Sequence, residues 1–259
     1  MTTDDLVIAL AGLAAGTING IAGGGSLVSF PVLIALGYAA RTANVTTTVG
    51  IWTGYLGGIA GFRVQLADQR ERVRTFAPVA MAGGLVGAVL LLVTSDDLFR
   101  SLAPLLILAA CGLFAAQPAL AARARARAVN GSGAAAGQAG AEVVPRAALA
   151  GTFLAAVYGG YFGAGLGVIL LAVLGLTLED TLARINGLRG VLSLLINSIA
   201  VVVFALTADV AWRAAGILAV ASLIGGYAGA RLSLRLEPAV LRAVVITFGV
   251  VAAVKLLIS

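Results

Sequence analysis

The sequence predicts an all-α polytopic membrane protein built from two inverted repeats of five segments, with eight long helices and two short half-helices after glycine-rich breaks. Composition comes first: 61% of the 259 residues are hydrophobic, only 11% are charged, and the mean hydropathy is +1.07. Soluble domains carry about 25% charged residues. The second observation is a row of apolar segments bounded by charge, proline or glycine. The third is a recurrence of glycine patterns about 140 residues apart.

The segments fall at 5–22, 26–38, 43–66, 75–94, 98–117, 145–162, 166–177, 181–207, 211–230 and 239–258. Eight are long enough for about 30 Å of hydrocarbon, which needs about 20 residues. The segments 26–38 and 166–177 are too short for an easy crossing. Each follows a glycine run, so each reads as a half-helix paired with the segment before it. The acidic start, Met1-Thr2-Thr3-Asp4-Asp5, lacks the positive region of a cleaved signal, so the first segment is expected to be a permanent helix.

Residues 1–117 then form a first transmembrane repeat and 145–259 a second. Between them, 118–144 is rich in arginine, alanine and glycine and reads as a cytoplasmic linker. With an offset of 140, Gly20, Gly23 and Gly25 fall on Gly160, Gly163 and Gly165. With an offset of 142, Gly83, Gly84 and Gly87 fall on Gly225, Gly226 and Gly229.

Charge predicts the orientation. Sixteen arginines and one lysine (Lys255) face eleven acids, and the arginines cluster in loops. In the first half the loop after the third segment holds Arg63, Arg70, Arg72 and Arg74, and the next holds Asp96, Asp97 and Arg100. In the second half the corresponding loops hold Asp209 and Arg213, then Arg231, Arg235 and Arg242. Arginine-rich loops stay cytoplasmic. Corresponding loops therefore lie on opposite sides, which needs an odd number of segments per half. Five plus five places the linker inside and both termini outside.

Absences narrow the chemistry. The chain has no histidine, which removes His-based metal sites, Ser–His nucleophiles and histidine proton relays. Ser26 has no base nearby, so an intramembrane enzyme is disfavoured. Cys111, the lone cysteine, reads as buried packing. No acid lies in the middle of a segment, so no carboxylate is placed to carry a coupling proton.

What remains points to a binding site at the breaks. Consecutive glycines hold a helix poorly, and a broken backbone at membrane depth is tolerated only inside protein or along a watery cavity. Broken segments in matching positions of two halves mark a transporter's substrate site, and their bare N–H ends suit anions. The site residues expected on this basis are Asn19, Gly23, Gly24, Gly25 and Ser26, with Gly163, Gly165 and Gly167 in the second copy. The polar start of each third segment adds Asn44, Thr46 and Thr47, then Arg184, Asn186 and Arg189. A helix starting near Glu179 would carry Arg189 about 15 Å inward, to a depth where charge is costly and usually functional. Close helix packing is the competing role for the glycines, and ion pairing with Glu179 or Asp180 for the arginines. Asn19 and Asn197 could equally serve as interhelical hydrogen-bonding groups.

The chain resembles the TauE/SafE sulfite exporter family. The resemblance rests on Gly16-x-x-Asn19-Gly20-x-x-Gly23-Gly24-Gly25-Ser26 with Pro31, then Ala43-Asn44-x-Thr46-Thr47. The second copy is Gly160-x-x-Gly163-Ala164-Gly165-x-Gly167 with Ala183, followed by Gly225-Gly226-x-x-Gly229-Ala230-Arg231-Leu232. Leu171 stands where the second copy would carry its proline. The resemblance implies movement of small sulfur-containing anions such as sulfite and organosulfonates. The expected partners are therefore a small anionic substrate and the lipid bilayer, with no nucleic acid and no cofactor. Self-association as a homo-oligomer stays open, and the competing function is a non-transporting membrane scaffold or assembly factor.

Overall fold

The structure, a computed structural model, describes residues 2–21, 23–61, 66–131, 144–232 and, further on, 243, 246–251, 253, 254 and 256. Arg63, Arg235, Arg242, Lys255 and the linker from 132 to 143 lie outside the described residues. The described residues form helices α1 (Thr3–Ile21), α2 (Ser26–Ala35), α3 (Ala40–Gly61), α4 (Arg70–Val93), α5 (Asp96–Gly131), α6 (Arg146–Tyr161), α7 (Leu166–Thr177), α8 (Leu182–Thr207) and α9 (Trp212–Leu232), and residues 246–251 are helical too. No strand occurs among them.

Four helices, α1, α4, α5 and α8, combine the length of a span with an apolar composition. Helix α6 is shorter than its apolar segment suggests. Pro145 starts it, Phe162 ends it, and its 16 residues reach only about 24 Å. Helix α5 is longer than expected, running on through Gly131, so the linker's first part is helical. Arg123, Arg125 and Arg127 alternate with alanine there, and alanine is the strongest helix former.

Helix directions follow from the contacts. Arg213 at the start of α9 pairs with Asp5 at the start of α1 at 2.7 Å. Further along, a Cβ on Gly225 would lie 2.1 Å from Leu13 O, and one on Gly229 2.4 Å from Thr17 O. The two helices therefore run the same way, backbone on backbone. Helix α3 runs alongside in the same sense, since a Cβ on Gly50 would meet Leu218 and one on Gly57 would meet Gly226. Thus α3 begins beside the start of α1, and α2, joined to α3 by a short turn, ends there. Helices α1 and α2 form an antiparallel hairpin.

The other half of the molecule is built alike. A Cβ on Gly83 would lie 2.7 Å from Phe153 O, and one on Gly87 2.0 Å from Val157 O, so α4 runs with α6. Gln69 Nε2 donates to Arg184 O, and further along a Cβ on Gly84 would meet Ile196, so α8 runs with α4. Helix α7 therefore returns to the level where α6 began. Helix α4 packs on α6 and α8, while α9 packs on α1 and α3: each half lends its fourth helix to the other. Only glycine allows such close contacts along α4 and α9, because every side chain there would strike a facing carbonyl.

Candidate functional site

The first break is shaped by three glycines with three different constraints. Gly23 has φ +80°, a left-handed conformation that ends α1 and that L side chains rarely adopt. A Cβ on Gly24 would lie 2.0 Å from Phe114 Cζ on α5, and one on Gly25 would lie 2.1 Å from Ala15 O. Asn19 Oδ1 accepts the Gly25 N–H at 2.7 Å, which ties the last turn of α1 to the first residues of α2. The second break has two left-handed glycines, Gly163 (φ +76°) and Gly165 (φ +78°). Here Tyr158 Oη donates to Ala164 O at 2.6 Å and holds the loop against α6.

The two breaks touch. Gly167 N donates to Gly23 O at 3.1 Å, and Ser26 Oγ lies 4.0 Å from where a Cβ on Gly163 would stand. The N-terminal ends of α2 and α7 therefore converge in the middle of the bundle, where α1 and α6 end. Arg189 completes the site. Its side chain is 3% exposed, and its Nη1 lies 3.1 Å from where a Cβ on Gly23 would be. Thr181 caps α8, so the helix starts at Leu182 and not near Glu179. Arg189 thus sits about 10 Å along it, less than the sequence suggested.

Tyr55 on α3 and Asn197 on α8 stand beside Arg189. Tyr55 lies within reach of Asn197 and in the field of the Arg189 charge. Asn197 Nδ2 donates to Ser193 O at 2.8 Å. Sequence reasoning passed over Tyr55, yet a signal existed: residues 44, 48 and 55 share one face of α3 at helical spacing.

The remaining site residues predicted from sequence lie elsewhere. Asn44 Nδ2 donates to Tyr161 O at 3.0 Å, linking α3 to the residue before the second break. Thr46 Oγ1 accepts the Ala211 N–H at 3.0 Å and anchors the start of α9. Thr47 is buried, and its hydroxyl has no partner among the described residues. Asn186 is half-buried in the second turn of α8.

Arg184 is held in an ion-pair cluster at the linker end of the bundle. It pairs with Asp68 at 2.5 Å and Asp180 at 2.8 Å, and Arg72 also pairs with Asp180. Burial pushes the Asp180 carboxyl up, but hydrogen bonds from Arg184 and Arg72 outweigh it and hold the group below its ordinary value. Hydrogen bonding from Arg184 lowers Asp68 as well. Because the folded values are depressed, the stability from these groups is present above the ordinary 3.8 and is lost as pH falls through the lowered values. Asp180→Asn is expected to lower the melting temperature in detergent by several degrees at pH 7. The gap from wild type should close only below about pH 4, and an equal melting temperature at pH 7 would show that the cluster adds nothing.

The opposite end is looser. Arg41 pairs with Asp96 at 2.7 Å, and both side chains are partly exposed. Cavities of about 370 and 530 Å³ open on either side of this pair, one lined also by Tyr38 and Arg100, the other by Thr207 and Asp209.

Comparison with known proteins agrees with this architecture. Probable membrane transporter protein YfcA of Escherichia coli strain K12 is 25% identical over 255 residues, covering 97% of this chain and 88% of that protein. The protein of the same name from Escherichia coli O157:H7 aligns with the same identity and coverage. No solved structure matches. The family model described as sulfite exporter TauE/SafE matches residues 8–256, and the chain belongs to that family of membrane transporters.

Proposed function

We propose that this protein carries small oxyanions, sulfur-containing ones such as sulfite and organosulfonates, across the bacterial inner membrane by alternating access at the crossing of the two breaks. One observation carries the reading: Arg189 is buried beside Gly23, at the point where Gly167 donates to Gly23 O. A guanidinium and two helix N-termini converging there form an environment suited to negative charge. Two half-helices meeting inside a bundle is how membrane transporters build a midplane site.

The contacts of α4 and α9 support an inverted repeat. Phe153 and Val157 stand 140 residues after Leu13 and Thr17, and the glycines that meet them are 142 apart. A difference between the two ends supports alternating access: ion pairs gather around Asp180 at the linker end, and cavities open at the other. Loop charge supports placing the linker in the cytoplasm and both termini outside.

Proteoliposomes containing the full chain test this with labelled sulfite, methanesulfonate and acetate. Saturable flux of the two sulfur oxyanions, well above that of acetate and of empty liposomes, is expected. Flux no higher than in empty liposomes for all three sinks the proposal.

A further inference from the structure

Close backbone contacts sort the helices into two groups that cut across the sequence halves. In the first, α9 is wedged against α1 and α3: a Cβ on Gly16 would lie 2.1 Å from Ser222 O, and one on Gly226 2.2 Å from Gly54 O. Side chains tie the same helices, since Thr53 Oγ1 donates to Ala219 O at 2.6 Å and Ser222 Oγ to Gly50 O at 3.1 Å. In the second, α4 is wedged against α6 and α8, and a Cβ on Gly160 would lie 2.2 Å from Gly84 O. Helix α2 stays with α1, α7 stays with α6, and α5 packs on α7. Backbones interlocked in this way cannot slide without a clash.

The seam between the groups is built differently. Where α3 lies along α8, side chains make the contact: Trp52 Nε1 donates to Ser198 Oγ at 2.8 Å, and a Cβ on Gly190 would stand at an ordinary 3.5 Å from Ile59. Among the described glycines, backbone meets backbone across the groups only at the breaks, where a Cβ on Gly23 would lie 2.6 Å from Gly167 Cα. At the end far from the linker the groups part. The cavity of about 530 Å³ is lined by Arg41, Thr42 and Val45 from one group and by Leu92 and Thr207 from the other. Arg41 crosses this gap, donating to Thr94 O at 3.0 Å beside its pair with Asp96.

We infer that these two groups, and not the two halves of the sequence, are the units that move in transport, turning about the Gly23–Gly167 contact with Arg41 as a strap across the far mouth. This rests on the transport reading above and says which parts carry it out. Small sliding along packed side chains is how shear motions proceed. A pivot at the crossing of the breaks keeps the bound anion in place while access passes from one end to the other.

Spin labels on the Cys111→Ala protein in lipid nanodiscs test this. Ala39 and Ser95 share a half but flank different groups, whereas Ala39 and Trp212 come from different halves and flank one group; all three are exposed. Methanesulfonate is expected to shift the Ala39–Ser95 distance and to leave the Ala39–Trp212 distance unchanged. A rigid dimaleimide bridge gives the matching functional readout in proteoliposomes, with N-ethylmaleimide as the control that modifies both cysteines without tying them. Between cysteines at Arg41 and Asp96 the bridge lowers methanesulfonate flux at least about tenfold, because it holds the two groups at one separation. Between cysteines at Asp5 and Arg213, which join the halves inside one group, it leaves flux at the control level.

An Ala39–Trp212 distance that responds to methanesulfonate, or an Ala39–Ser95 distance that does not while flux persists, overturns the inference and leaves transport standing. So does flux that survives the bridge at Arg41 and Asp96, or stops with the bridge at Asp5 and Arg213. Wild-type liposomes that carry no oxyanion at all sink the transport reading, and this inference with it.

Discussion

Arg189→Ala is expected to lower anion flux at least about a hundredfold while the protein still inserts and elutes as a single species. Hydrogen bonds to charged groups contribute about 1.5–3 kcal/mol each, and a guanidinium can offer two to one oxyanion. Losing both in a site shielded from water is enough for that factor, since about 1.4 kcal/mol corresponds to tenfold. Arg189→Lys keeps the charge without the planar fork, so flux between the two extremes is expected. Wild-type flux in Arg189→Ala, measured against labelled sulfite, would remove Arg189 from the site.

Gly24→Val is the second large effect. The position tolerates no side chain, because a Cβ there would lie 2.0 Å from Cζ and 2.1 Å from Cε2 of Phe114, a ring only 1% exposed. Phe114 is fixed in the core between α5 and the first break, so the backbone of the break has to shift, and flux is lost. The change leaves the apolar length of α5 and of the other spans intact, so insertion is retained. Phe114→Ala opens the space that valine needs. The double variant should therefore recover part of the flux that Gly24→Val loses, a coupling that additivity does not allow. If Phe114→Ala brings no recovery, the ring is not what Gly24 accommodates.

Much of this was legible beforehand because glycine, arginine and segment length report on backbone and membrane directly. The runs at Gly23 to Gly25 and Gly163 to Gly167 mark the two breaks, and the short stretches after them are the half-helices α2 and α7. Other features depend on contacts between distant parts of the chain. Asp180 stands four residues before Arg184 and marks it for an ion pair, but that Asp68 joins them and that Arg189 turns toward Gly23 depends on other parts of the chain. Which arginine goes where depends on the cap at Thr181, which sets the register of α8. Tyr55 escaped notice because a tyrosine in an apolar run looks like packing until its neighbour on another helix is known. The glycines of α4 and α9 read as packing positions, and they are, but the partner helix belongs to the other half of the chain.

That last arrangement governs how the chain can be made. Helices α1 to α3 emerge from the ribosome early, yet the surface they close against is α9, near the end of synthesis. Until then their small-residue faces at Gly12, Gly16 and Gly54 lie open to lipid or to whatever the insertion machinery offers. Each half lacks the helix that its own small-residue faces pack against. A chain cut in the linker has to be completed by its other fragment in the same bilayer, and a truncation before Trp212 leaves the first break without the helix that braces α1 behind it.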